Sequence, residues 1–429
     1  MSFSNIRTPD RNTTTFILQP LTVTYANTLR RLMHSHVETI GFRSSIASDG
    51  TTGDIVIEAN DTPMTNEMLA HRFGLIPIYV KDPLNFKVDN FSFVLNVRND
   101  TDRTLDVTSE DIQVFEQRSP DTEPVRVATD VFFPADPITK RHILIATLKG
   151  KQFGQSKGEA ISIKAKASIH NGRENASFIP VSQCSFVNTP DSNPEKLRAT
   201  YERWLRLAKK LSPGDIAEDE GRRQALEKEF NTMEVQRCYL QDERGEPYSY
   251  DFTIESVGVL NTDAIIRRAC TVAEGMCMRY ANVDSGALPE GLTMQPTDKQ
   301  MMGFDLFFQG HDYTLGYMLQ TWIVENLIDG DAEPTDVVNY AGCIVPHPLH
   351  DVMRLTIGVT DGQEASARAA LASAARGCAD IFRRLRAEWQ TATGRSAAAD
   401  ATIRRVRATA PAVSAVPESA LPIKIKRAK

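Results

Sequence analysis

Along residues 27–42, NTLRRLMHSHVETIGF, the apolar side chains Leu29, Leu32, Met33, Val37 and Ile40 recur at helical spacing and form one stripe. The pattern predicts an amphipathic helix with Asn27 at the N-cap position and Arg30 and Arg31 in the first turn. Cations there oppose the helix dipole. Periodicity turns both arginines off the stripe, where they can face a partner. Before this helix, TTTFILQPLTVTY (13–25) reads as an extended segment and a turn. After it, FRSSIASDGTTGDIVIEA reads as a hairpin turning through Asp49-Gly50. TNEMLAHRFGLIP (65–77) predicts a short helix stopped by Gly74 and Pro77.

Residues 91–187 alternate as strands do, with FSFVLNV, HILIATL, ISIKAKASI and CSFV separated by Asp, Pro and Gly turns. Residues 191–232 change to charged helices broken at Ser212-Pro213-Gly214. A strand over 250–260 leads into a helix from Asp263, its apolar side lined by Ile265, Ile266, Ala269, Val272, Ala273 and Met276. Residues 283–302 lack periodicity and read as a linker. Beyond them come a strand (304–309), a helix (313–328), two strands (343–346 and 353–359) and a long helix (362–390). FILQPLTVTYANTLRRLM and LFFQGHDYTLGYMLQ both run from an apolar strand through a polar turn into a helix, and each half closes with a strand and a long helix. That symmetry suggests an internal repeat.

The chain has 429 residues, enough for two or three domains, and its 41% hydrophobic and 24% charged content is that of an ordinary globular protein. A net charge of −6 argues against a protein that coats nucleic acid. Six scattered cysteines without a CxxC pair indicate a reducing compartment, and neither a signal peptide nor a membrane span is expected, so the expected location is intracellular. Residues 391–429 carry eight Lys or Arg against two Asp or Glu and read as an unpacked basic tail.

Three stretches carry a family resemblance. NTLRRLMHSHVETIGF resembles the first helix of the α-type assembly subunits of multisubunit RNA polymerases. NDTPMTNEMLAHRFGLIPI (60–78) resembles that family's second hallmark, with Asn60, Thr62, Glu67, Ala70, His71, Arg72, Gly74, Leu75, Ile76 and Pro77 in register. ESVGVL (255–260) resembles the strand opening its last helix. Residues 1–285 are thus similar to the third-largest eukaryotic subunit or its archaeal counterpart, D. HDYTLGYML (311–319) and YAGCIVPHPLHD (340–351) resemble the small partner, eukaryotic subunit eleven or archaeal L. Two such partners in one chain resemble the fused assembly subunit of polymerases of large DNA viruses of eukaryotes.

The resemblance implies an α+β fold. A discontinuous dimerisation domain (1–45 plus 188–285) would hold an inserted β-rich domain (46–187), followed by a linker (286–302), a second dimerisation-type domain (303–390) and the tail. It implies a non-catalytic platform whose partners are the second-largest, largest and small polymerase subunits. DNA and RNA would be met only indirectly, and neither membrane binding nor homo-oligomerisation is expected. For a viral protein the site of action would be the host cytoplasm, the virion or the nucleus. Asn27, Arg30, Arg31, Glu67, His71 and Arg72 would face the large subunits. Leu29, Leu32, Met33, Val37, Thr314, Leu315, Gly316 and Leu319 would pair the halves, with Gly316 admitting close approach of the 27–40 helix. Some relatives hold zinc or an iron–sulfur cluster in the inserted domain, but no cysteine lies between residues 80 and 180 here, so no metal or cofactor is expected. The family's usual acid after His-Pro-Leu is replaced by His350, followed by Asp351.

Plainer readings stand beside these. Asn27 with the two arginines could be a cap and a solvated pair, Gly74 and Pro77 a helix stop, and Asp312 and Thr314 an N-cap. His34 and His36 are too close on a helix to share a metal, His347 and His350 lack a third ligand nearby in sequence, and Cys270 and Cys277 share a helical face as core residues do. No Walker A loop, HExxH or GxSxG motif is present, so no catalytic residue is assigned. A free-standing nucleic-acid-binding protein using the basic tail is the alternative function.

Overall fold

The computed structural model describes residues 1–44, 53–80, 86–119, 121–151, 153–154, 157–216, 219–297, 301–330 and 337–394. The chain opens with β1 (Ser2–Arg7), β2 (Thr13–Gln19) and α1 (Val23–Ser35). There follow β3 (Thr39–Gly41), β4 (Ile55–Asn60), α2 (Asn66–Gly74), β5 (Phe91–Arg98), β6 (Leu105–Thr108), β7 (Ile112–Glu116) and β8 (Val125–Val127). Next are β9 (Leu144–Leu148), β10 (Ala160–Ala165), β11 (Ser168–His170) and β12 (Val181–Asn188). Two charged helices, α3 (Pro194–Trp204) and α4 (Glu220–Glu229), precede β13 (Tyr250–Ser256) and α5 (Thr262–Met278). The last part is β14 (Leu292–Pro296), β15 (Gly303–Gln309), α6 (Tyr313–Ile323), β16 (Val338–Ile344), β17 (Val352–Val359) and α7 (Glu364–Ala392).

These elements form two compact units. One gathers Met1–Met33, Gln183–Glu255 and the described residues of Ile266–Arg395; the other contains His34–Ser182 and Ser256–Ile265. The first unit carries a structural duplication. Its two four-stranded sheets have the orders β1-β2-β13-β12 and β14-β15-β17-β16. In each, an antiparallel hairpin leads into a helix (α1 or α6), and a second strand pair leads into a longer one (α5 or α7). Registers correspond as well: Phe16 lies opposite Phe252 across β2 and β13, as Leu306 lies opposite Leu355 across β15 and β17.

The two repeats share one aromatic core. Phe16 stacks on Phe252 at 5.1 Å, and Trp389 of α7 meets Phe3 and Phe16 at 5.0 and 5.2 Å. Reciprocally, Tyr280, just after α5, meets Phe308 of β15 edge-on at 5.0 Å. Trp389 of α7 and Tyr280 beyond α5 thus each reach the other repeat's sheet, while α7 also packs against its own. Burying Trp389, Phe16 and Phe252 from both repeats supplies roughly 1.5–3 kcal/mol per large side chain.

The second unit is β-rich. A five-stranded antiparallel sheet, β4-β10-β5-β7-β8, is joined by the pairs β6-β9 and β3-β11. Phe42, Phe73 and Phe93 pack in its core beside Leu69 and Ala70, which α2 turns inward.

Several sequence expectations need correction. Helix α1 begins at Val23, a full turn before Asn27, because Tyr25 and Ala26 are also buried and extend the apolar stripe backwards. Asn27 is therefore not a cap, and Arg30 and Arg31 sit mid-helix. Val37 and Ile40 lie outside the helix. The Ser35 carbonyl accepts from the Arg173 N–H, and Ile40 pairs with Ile169 between β3 and β11. The stretch expected as a linker, 286–302, contains β14, an edge strand that ends in Pro296, where a missing N–H is tolerated. The expected hairpin turn Asp49-Gly50 and the tail beyond Gly394 lie outside the described residues. Among the described residues no helix is long and apolar enough to cross a membrane.

Candidate subunit interface

Helices α1 and α6 run side by side in opposite directions. At one end Thr22 donates to Glu325 Oε1 at 2.8 Å, and the Thr24 and Thr321 hydroxyls are 3.0 Å apart. At the other, Arg31 donates from Nε to Thr314 Oγ1 at 2.9 Å and from Nη2 to Asp312 Oδ2 at 3.0 Å. Asp312 is the N-cap of α6, its Oδ1 accepting from the Thr314 N–H at 2.8 Å. One carboxylate thus caps a helix in one repeat and binds an arginine of the other. Arg30 donates from Nε to Asn27 Oδ1 at 2.9 Å, one turn away on its own helix.

The residues assigned to pairing the halves take different places. Leu29, Leu32, Met33, Leu315 and Leu319 are fully buried, and Thr314 is buried as well. Gly316 does not face α1. A Cβ there would overlap Cys343 Sγ of β16 and approach Met353 Sδ of β17 to 3.2 Å, so this glycine seats α6 on its own sheet.

The long helices are tied by arginines. Arg376 donates to Ala281 O at 2.7 Å and to Asp284 Oδ2 at 3.0 Å. Arg383 binds Glu274 Oε1 at 3.0 Å, and Arg386 binds Glu274 Oε2 at 2.9 Å and Thr271 Oγ1 at 2.9 Å. This register sets Cys277 beside Cys378, and burial holds the Cys378 thiol well above its usual range. Cys378 donates to Met318 O at 3.4 Å. All six cysteines are free.

In the other unit, α2 presents an open face. Thr65 caps it by accepting from the Met68 N–H, and bonds from Glu67's own N–H and the Thr65 hydroxyl hold the Glu67 carboxyl below its usual range. Glu67, His71 and Arg72 are exposed, as are Met68 (60%) and Leu75 (57%). Arg72 donates from Nη2 to Leu144 O of β9 at 3.0 Å, which holds its guanidinium along the surface. Gly74 does not end the helix in a left-handed turn. It lies against Phe42 O and Ser44, where a Cβ would come within 3.2 Å of both.

Two sequence comparisons bear on this arrangement. The family model described as the RNA polymerase Rpb3/Rpb11 dimerisation domain matches residues 15–277, and a second model of that description matches 304–388. The chain belongs to the Rpb3/Rpb11 dimerisation-domain family. Among its relatives, the Arabidopsis thaliana DNA-directed RNA polymerases II, IV and V subunit 3 is 28% identical over 192 residues, 41% of this chain and 53% of that one. The Methanopyrus kandleri DNA-directed RNA polymerase subunit Rpo3 is 37% identical over 82 residues, 19% and 26% of the two chains. Human DNA-directed RNA polymerases I and III subunit RPAC1 is 25% identical over 303 residues, 63% and 81%. The chain thus spans about half of the plant relative and a quarter of the archaeal one.

The two Rpb3/Rpb11 matches coincide with the two structural repeats, the first interrupted by the β-rich unit. Sequence reasoning missed the α7 arginines, which lay in a helix read only for its length; their spacing of seven and three (376, 383, 386) was the available signal. It also missed the partner of Arg31, 281 residues away. His347 and His350 have ring centroids 4.9 Å apart, and among the described residues no group of three His, Cys, Asp or Glu could hold a metal.

Proposed function

We propose that this chain is a non-catalytic assembly platform of a DNA-dependent RNA polymerase, in which two dimerisation repeats pair within one polypeptide and dock the large catalytic subunits. The observation that carries the reading is the duplication itself. Two sheets of identical strand order share Trp389, Phe16 and Phe252 in one core. An interface of this kind needs two complementary partners, and here a single chain supplies both. The tandem arrangement supports a virally encoded polymerase, acting inside the host cell or the virion.

The α2 face is the docking surface for the second-largest subunit in this reading. Exposed Met68 and Leu75 offer apolar anchors flanked by Glu67, His71 and Arg72, a composition suited to a specific contact. Arg31 is assigned to pairing the repeats, whereas Arg30 and Asn27 stay with the large-subunit contact. A tagged chain co-expressed with the two largest polymerase subunits should retain them stoichiometrically. Met68→Glu/His71→Glu should keep its melting temperature and lose the second-largest subunit, since both side chains are exposed. Normal capture by that variant would overturn the assignment of α2.

A further inference from the structure

The charged helices between β12 and β13 supply none of the contacts described above between the repeats. They form a small independent packing unit. Leu205, Ile216 and Leu226 are buried together beneath Tyr201, Trp204 and Leu211, and Tyr201 meets Phe230 edge-on at 5.1 Å. Helix α3 continues through one wider turn, Leu205–Lys209. Its inner side is used up by this core. Lys209 lies over the Trp204 ring at 5.2 Å and binds Glu229 at 2.7 Å.

The outer side is different. Arg203 lies in the last turn of α3, Arg206 and Leu207 follow three and four residues on in the wider turn, and Lys210 ends it in a left-handed conformation. All are exposed, and Leu207 is 71% accessible. Among the described residues the side chains of Arg203, Arg206 and Lys210 make no ion pair or hydrogen bond. The nearby Lys196 and Arg198 do, with Asp191 at 2.9 Å and Glu202 at 3.1 Å. Arg203 and Arg206 are uncompensated cations beside one exposed leucine, and Lys210 adds a third where the turn ends, a surface with both a sign and an apolar anchor.

We infer that this face of α3 docks an acidic, leucine-containing segment of a partner protein. Charge complementarity supplies the attraction, and Leu207 supplies an anchor that desolvates the flanking pairs. Nucleic acid fits less well. A duplex backbone has no use for the leucine, and single strands favour aromatic platforms that this face lacks. The inference does not depend on how α2 docks.

The test uses the full chain and a fluorescent amphipathic peptide of about 18 residues, built from Glu and Leu at helical spacing. Binding is followed by anisotropy at about 0.05 M and about 0.3 M salt. The wild type should bind, more weakly at the higher salt. Arg203→Glu/Arg206→Glu/Lys210→Glu should raise Kd at least about tenfold, and Leu207→Ser should weaken binding several-fold, without lowering the melting temperature. Arg203→Gln/Arg206→Gln/Lys210→Gln keeps the side-chain length and serves if charge reversal disturbs the helix. The inference is overturned by no binding at low salt, by unchanged affinity in the charge variants, or by tighter binding of a duplex DNA than of the peptide.

Discussion

Arg31 lies two turns into α1, with its side chain 41% accessible and that of Asp312 35% accessible. Such a pair is screened by water, so its worth is modest despite two good hydrogen bonds. Arg31→Ala should cost about 1 kcal/mol of stability, and a double-mutant cycle with Asp312→Ala should return a coupling of about 1 kcal/mol or less. A coupling of zero in urea unfolding would show that the contact does not join the repeats. Gly316 makes a sharper case, since a methyl group there meets Cys343 Sγ directly. Gly316→Ala should destabilise by roughly 1–3 kcal/mol through overpacking, even though alanine is the better helix former. Adding Cys343→Ala removes the sulfur and should recover part of the loss. Failure of that rescue in thermal melts would mean that backbone crowding dominates.

At the scale of elements, the α1–α6 pair carries a titratable group at its edge. Glu325 is partly buried, and desolvation raises its carboxyl pKa, while the Thr22 hydroxyl bond opposes the shift. A carboxyl whose pKa is higher folded than unfolded binds more protons in the folded state. Its ionisation therefore weakens the fold as pH rises through the unfolded and then the folded value, and protonation restores stability on the way down. Glu325→Gln should melt higher than wild type near pH 7, with the difference shrinking toward pH 4. A variant that melts lower at pH 7 would show that the charge at the start of α1 outweighs desolvation. Helix α2 is the contrasting element. Its buried side, Leu69, Ala70 and Phe73, is readable from spacing alone, as is the Thr65 cap, and its outer side stays open.

For the whole molecule, the aromatic core shared by the two repeats predicts that they are not held together by the linker alone. The segment around Ala287 and Leu288 lies between α5 and β14 and belongs to neither. A protease site inserted there should yield two fragments that co-elute on gel filtration and separate only in denaturant. Cutting at Gly291 instead would disturb the sheet, because the Gly291 carbonyl accepts from the Gln309 N–H at 2.8 Å. Fragments that part under mild conditions would sink the reading of an intramolecular pair. The interface to be broken includes Trp389, the arginine ties from α7 to α5, and the Arg31 corner.

Local spacing in the chain sufficed for much of this. It determined most helices and the β-rich character of 91–187, and it suggested the two-part repeat, which the family motifs around AHRFGLIP and HDYTLGYML then supported. Those features follow from contacts within a few residues, where period and capping chemistry decide the outcome. Where α1 begins, that Val37 lies beyond it, and that 292–296 is a strand depend on partners far along the chain, which no local period records. The roles of single polar and small residues were decided the same way. Arg31 reads as a surface cation until Asp312 stands beside it, and Gly316 faces its own sheet only because α6 lies flat on Cys343. Periodicity reports which side of a helix is apolar; only the folded chain decides what that side, and the side opposite, will meet.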